Sequence, residues 1–134
     1  MEAQFVNVAI AVKDIDEAIK VYGDILGAKL DGKVNEQPAL GIKTAMIRGN
    51  GFEFELVSPL PGERVLTRFL ETRGEGIYRL AYAVKDMGAA LAHLRSKGVP
   101  VIEATASTAR SPRAKIAFTH PKALKGVMME LVER

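Results

Sequence analysis

Apolar and small or polar residues alternate in two pairs of short runs, and the members of each pair match. Val6, Val8, Ile10 and Val12 lie on one side of a strand and Asn7, Ala9 and Ala11 on the other; Tyr78, Leu80, Tyr82 and Val84 oppose Arg79, Ala81 and Ala83 in the same way. Phe52, Phe54 and Leu56 alternate with Glu53, Glu55 and Val57, as Val127, Met129 and Leu131 do with Met128, Glu130 and Val132. Period-two patterning of this kind predicts half-buried strands over 6–12, 52–57, 78–84 and 127–132.

The period changes to that of a helix directly after the first and third of these strands. Ile15, Ala18, Ile19 and Tyr22 recur at i, i+3, i+4 and i+7, and so do Met87, Ala90, Leu91 and Leu94. Asp14 and Asp86 stand at the N-cap positions, Glu17 completes a capping-box pattern after Asp14, and Gly27 and Gly98 end the helices.

These matches form an internal repeat. At an offset of 72, "NVAIAVKDIDEAIK" and "RLAYAVKDMGAALA" share six of fourteen residues: Ala9/Ala81, Ala11/Ala83, Val12/Val84, Lys13/Lys85, Asp14/Asp86 and Ala18/Ala90. At an offset of 75, "FEFELV" and "VMMELV" share Glu-Leu-Val. Each half has room for two further strands, around 29–34 and 42–47 in the first and 100–103 and 115–119 in the second.

The expected fold is therefore α+β within a single domain: two paired βαβββ modules, at 1–60 and 77–134, forming curved mixed sheets around a central cavity. The 61–76 connector carries a short amphipathic helix with Val65, Leu66, Phe69 and Leu70 inward. Bulky strand residues suit packing against helices, whereas the alanines on the other face leave space that suits a ligand. If a pseudo-twofold axis relates the halves, Asn7 corresponds to Arg79 and Glu55 to Glu130, and the four polar side chains converge in that cavity. The competing reading is an ordinary solvated strand face, which the repeat, the alanines and the apolar neighbours of Glu130 argue against.

Composition narrows the function. A chain of 134 residues, 48% hydrophobic and 26% charged, can bury a core of its own. The net charge of +3 comes from 19 basic residues interleaved with 16 acidic ones, aromatics are only 6%, and no stacking motif or basic helix occurs, so a nucleic-acid partner is not expected. With no cysteine there is no thiol nucleophile or thiolate metal site. No apolar run reaches membrane-spanning length and the start lacks a basic leader, so the expectation is a cytoplasmic protein without a membrane partner. Gly-rich phosphate loops, serine nucleophile elbows and zinc motifs are also missing.

The segments "VNVAIAVKDIDEAIKVYGDILG", "FELVSPL", "RFLETRGEGIYRLAYAV", "KIAFTHPK" and "GVMMELVE", in that order, resemble the vicinal oxygen chelate superfamily. This superfamily includes glyoxalase I, extradiol dioxygenases and bleomycin-resistance proteins, and the nearest resemblance is to its methylmalonyl-CoA epimerases. It implies paired βαβββ modules, a homodimer, and a divalent metal held by the first and last strand of each module. The ligand places fall on Asn7, Glu55, Arg79 and Glu130. The chain departs from that pattern where the epimerases carry histidine, at Asn7 and Arg79.

Guanidinium has no lone pair to give a metal, so no metal cofactor is expected. Arg79 instead reads as a built-in cation, serving either as a structural ion pair between carboxylates or as a fork for a carboxylate or enolate ligand. The resemblance implies proton transfer beside a carbonyl of an acyl-CoA-like or small acidic substrate, by an epimerase or lyase, with Glu55 and Glu130 as catalytic carboxylates and Asn7 and Arg79 binding ligand. The alternative is a non-catalytic small-molecule binding protein of the bleomycin-resistance type.

A further family glutamate, ahead of the third strand, falls near Ala39; Glu36 replaces it only with a shifted loop, and otherwise is a solvated loop acid. Arg110, Arg113 and Lys115, with Lys122 and Lys125 nearby, offer either a docking edge for the phosphates of a coenzyme A ligand or a solvated loop. His93 and His120 have no metal spacing or nucleophilic partner and read as structural, His120 shaping its loop or a ligand edge.

Overall fold

The structure, a computed structural model, describes residues 1–106, 111 and 113–134. Among these residues, in chain order, are β1 (Gln4–Ala11), α1 (Ile15–Leu26), β2 (Lys29–Gln37), β3 (Ile42–Gly49), β4 (Phe52–Pro59), α2 (Val65–Arg73), β5 (Gly76–Val84), α3 (Met87–Ser96), β6 (Val101–Ala106), β7 (Ala114–Thr119), a 3-10 turn (Pro121–Leu124) and β8 (Met128–Glu133). The class is α+β, and βαβββ occurs twice, as the patterning predicts. Each strand runs past its predicted range at one end, because residues there pair with a neighbour even where their alternation fades. Two compact units result, one of Val8–Tyr78 and one of Met1–Asn7 with Arg79–Arg134.

In the unit Val8–Tyr78 the strand order is β2-β3-β4-β1. The last pair is parallel, with Ala9 opposite Glu55 and Ala11 opposite Val57. Parallel neighbours cannot be joined by a tight turn, and here α1 and the β2-β3 hairpin fill the connection. The N-cap carboxylate of Asp14 accepts the Glu17 N–H at 3.1 Å, and Gly27 ends the helix at φ +68°. The bulky strand face packs under α1: Ile10, Val12, Ile15, Ala18, Ile47 and Leu56 form a core edged by Tyr22, Phe52 and Phe54. Each fully buried Leu or Ile in such a core contributes roughly 1.5–3 kcal/mol.

The opposite, alanine-bearing face of this unit is filled. Ala9, Ala11 and Val57 are covered by Leu66 and Leu70 of α2, with Phe69 set edge-on to Tyr78 at 4.9 Å. Small strand residues here let a helix approach closely, so the space foreseen for a ligand holds side chains along this stretch. The start of α2 is held by Glu63, whose carboxylate accepts the N–H groups of Leu66 at 2.8 Å and Thr67 at 3.0 Å. Val65 was expected inward but is 68% exposed. The buried pair is Leu66 and Leu70, and Val65 precedes Leu66 by one residue, about 100° of helical turn, which carries it to the open side. Glu36 was expected in a loop but lies exposed in β2, opposite Lys43 of β3, because β2 continues past an irregularity between Asp31 and Asn35 that includes Gly32 at φ +77°.

In the other unit the order is β5-β8-β7-β6. The β5-β8 pair is parallel, with Arg79 opposite Met128 and Ala81 opposite Glu130. Asp86 caps α3 through the Ala89 N–H at 2.9 Å, and the Glu133 carboxylate at the end of β8 accepts the Met87 N–H at 2.8 Å. The core on this side comprises Val84, Met87, Ala90, Leu91, Leu94, Ala117, Met129 and Leu131. Phe5 meets Tyr82 edge-to-face at 5.7 Å.

Candidate active site

Three of the four repeat-related polar residues meet in the unit of Met1–Asn7 and Arg79–Arg134. Parallel pairing sets Arg79 beside Met128, so Glu130, two residues along β8, shares its face and stands diagonally from it. A diagonal gap of about 7–8 Å suits a long side chain. Arg79 Nε donates to Glu130 Oε2 at 2.9 Å, and Arg79 Nη1 donates to Asn7 Oδ1 at 3.1 Å. Arg79 is 5% exposed and Asn7 4%, and the Glu130 side chain is 15% exposed.

Burial defines the character of this group. An ion pair taken out of water is costly to form, and removing one partner leaves the other charge buried without compensation. The Asn7 amide oxygen and the Glu130 carboxylate answer two donors of one planar guanidinium, which fixes its orientation. β8 is held from behind as well: the buried Thr119 hydroxyl oxygen accepts the Met129 N–H at 3.3 Å. Thr119 carries no sequence signal of this role, because its face of β7 also bears Lys115 and reads as ordinary mixed alternation.

Glu55 is half-buried on β4 between Ala9 of β1 and Met46 of β3, in the other unit. Arg113 lies exposed in a turn, its N–H donating to the Ser111 hydroxyl at 3.2 Å. Lys115 is exposed on β7 with Nζ 3.5 Å from Glu133 Oε1, on the carboxylate that also holds the start of α3. Lys122 and Lys125 are exposed, whereas Arg110 lies outside the described residues. His93 is exposed on α3, and His120 caps the 3-10 turn by accepting the Lys122 N–H on Nδ1 at 3.1 Å. That cap is the loop-shaping role its position suggested. Ala39 sits at the β2-β3 turn.

Asn7 Oδ1 and Glu130 Oε2, two oxygens that a divalent metal would draw on, are bonded to Arg79. Among the described residues, no group of three or more His, Asp or Glu is arranged to hold a metal ion. A charge of +2 some 4 Å from the guanidinium would meet repulsion on the order of 8 kcal/mol at an effective dielectric constant near 20.

The chain belongs to the Glyoxalase/Bleomycin resistance protein/Dioxygenase superfamily, whose profile it matches over residues 7–118. It is 31% identical to the ethylmalonyl-CoA/methylmalonyl-CoA epimerase of Cereibacter sphaeroides, over 93% of each chain. Among solved structures it resembles the methylmalonyl-CoA epimerase of Mycobacterium tuberculosis, with a TM-score of 0.83 and 37% identity, covering 97% of this chain and 87% of that one. A Streptomyces coelicolor methylmalonyl-CoA epimerase variant in complex with 2-nitronate-propionyl-CoA matches with a TM-score of 0.83 and 25% identity over 98% of each chain. Among the described residues, no helix is long and apolar enough to cross a membrane.

Proposed function

We propose that the chain is an epimerase-like isomerase that moves the proton next to the thioester carbonyl of an acidic acyl-CoA. The observation that carries this reading is a largely buried carboxylate, Glu130, held by Arg79, which also binds Asn7, in a chain whose near-full-length relatives include a methylmalonyl-CoA epimerase. The Glu130 carboxylate takes the α-proton. The C–H electron pair becomes the enolate double bond, and the thioester oxygen takes up the negative charge. Arg79 and Asn7 donate hydrogen bonds toward that oxygen, the kind of preorganised stabilisation that contributes most when water is excluded. A proton returned to the opposite face from a general acid or from solvent completes inversion. Arg113 and Lys115 are the candidate contacts for the coenzyme A phosphates.

The test is solvent-deuterium incorporation into methylmalonyl-CoA. Wild type should exchange the α-proton, and Glu130→Gln should slow exchange by about 10²–10⁴-fold, the usual contribution of a positioned acid-base group, with its circular dichroism unchanged. A Gln variant that exchanges at the wild-type rate would refute the role of Glu130.

One observation favours a second reading: Glu130 is already engaged by the guanidinium that would have to serve the substrate. A binding protein of the bleomycin-resistance type needs only such a fixed polar anchor. Retention of an acyl-CoA with no deuterium exchange would select it.

A further inference from the structure

We infer that the Arg79 guanidinium is the resident cation of this site, permanently supplied by the chain, and that the protein works without a divalent metal. The metal half of this inference stands on geometry alone, and only its catalytic half rests on the proposed proton transfer.

Arg79 Nε lies 2.9 Å from Glu130 Oε2 and Nη1 lies 3.1 Å from Asn7 Oδ1, so one cation already bridges the acidic and amide oxygens that face it. The group is held on adjoining strand positions of one compact unit, where Arg79 and Asn7 are both buried. A metal would have to displace a guanidinium that cannot lose its charge, since arginine stays protonated throughout the pH range of a folded protein. A metal ion and a guanidinium can both stabilise an oxyanion, but the guanidinium does so through directed N–H donors and cannot be removed by a chelator.

The experiment compares wild type with an Asn7→His/Arg79→His double variant. Both are purified, dialysed against EDTA, titrated with cobalt(II) and followed by visible absorption and elemental analysis. Wild type should take up no cobalt and show no d–d band. The double variant removes the competing cation and supplies two imidazoles beside Glu130, a set suited to a metal site with an open position, and should bind one cobalt per chain. Stoichiometric cobalt in wild type would overturn the inference, whatever the variant does and whether or not the variant folds.

The catalytic half is read separately. Deuterium exchange by wild type should be the same before and after EDTA dialysis, and a loss of tenfold or more that cobalt restores would overturn it. Wild type that neither exchanges nor binds cobalt refutes the proposed reaction but leaves the resident-cation assignment standing, so the two failures are distinguishable.

Discussion

The two βαβββ modules start from nearly the same strand and use its inner face differently. In the first, Ala9 and Ala11 of β1 lie under the leucines of α2, and the polar position ahead of them is Asn7. In the second, Ala81 and Ala83 follow Arg79, whose guanidinium reaches across to Glu130, and Ala83 is only half-buried. A strand face lined with small residues is thus a vacancy without a fixed use. In the first module an amphipathic helix covers it, and in the second an ion pair stands at its start. Apolar filling stabilises through area and packing, whereas the ion pair orients a carboxylate and adds little net stability.

If that contrast is right, the largest effect comes from breaking the ion pair on one side only. Arg79→Met leaves Glu130 in a largely buried place without its cation and should lower unfolding free energy by about 3–5 kcal/mol in urea denaturation. Arg79→Met/Glu130→Met should recover most of the loss, because two apolar side chains of similar length replace a pair whose desolvation offset its attraction. A double variant as unstable as the single one would show that the pair is a net source of stability, and the contrast between the modules would fail.

A smaller effect probes the vacancies themselves. Ala11→Val adds two methyl groups where the site is fully buried beneath α2, and overpacking of this kind costs about 1–3 kcal/mol. The repeat-related Ala83→Val has partial access to solvent and should cost less than about 1 kcal/mol. Matched urea titrations measure the difference. Equal costs would mean that the second alanine face is as tightly filled as the first.

The sequence made the fold legible because two independent periodicities recur in register. Alternation marked which face of β1, β4, β5 and β8 meets the helices, and Asp14 and Asp86 marked the helix starts. The repeat and the resemblance both singled out Asn7, Arg79 and Glu130, but they led to the expectation of a guanidinium between two carboxylates, whereas the second oxygen on Arg79 belongs to the Asn7 amide. The filling of the first alanine face was not legible. It depends on how far α2 rotates about its axis, and a nine-residue helix leaves several phases open, as the exposure of Val65 shows. Thr119 and Glu133 were also missed, because each satisfies a backbone N–H distant in the sequence, and Glu63 was missed because it caps α2 from one place ahead of the usual N-cap position. The extension of β2 through Glu36 likewise depends on pairing with β3 across an irregularity, and no local pattern encodes that.

The smallest effect tests where the modules should behave alike. Asp14 and Asp86 occupy the same place in the repeat, adopt the same extended backbone (φ −128° and −135°) and accept the N–H three residues on at 3.1 and 2.9 Å. Replacing either with Ala removes one cap and should cost about 1 kcal/mol. Each helix start also has a second carboxylate from a distant segment, Glu75 on the Lys13 N–H and Glu133 on the Met87 N–H, at 2.9 and 2.8 Å. Because the two caps share no partner, Asp14→Ala/Asp86→Ala should equal the sum of the single variants within about 0.5 kcal/mol. A larger loss from Asp86→Ala would localise extra stability at the helix start fastened to the end of β8. Because Glu130 lies on that same strand, the cap would then act as a positioning device for the candidate site, and deuterium exchange in Asp86→Ala should fall while Asp14→Ala keeps the wild-type rate.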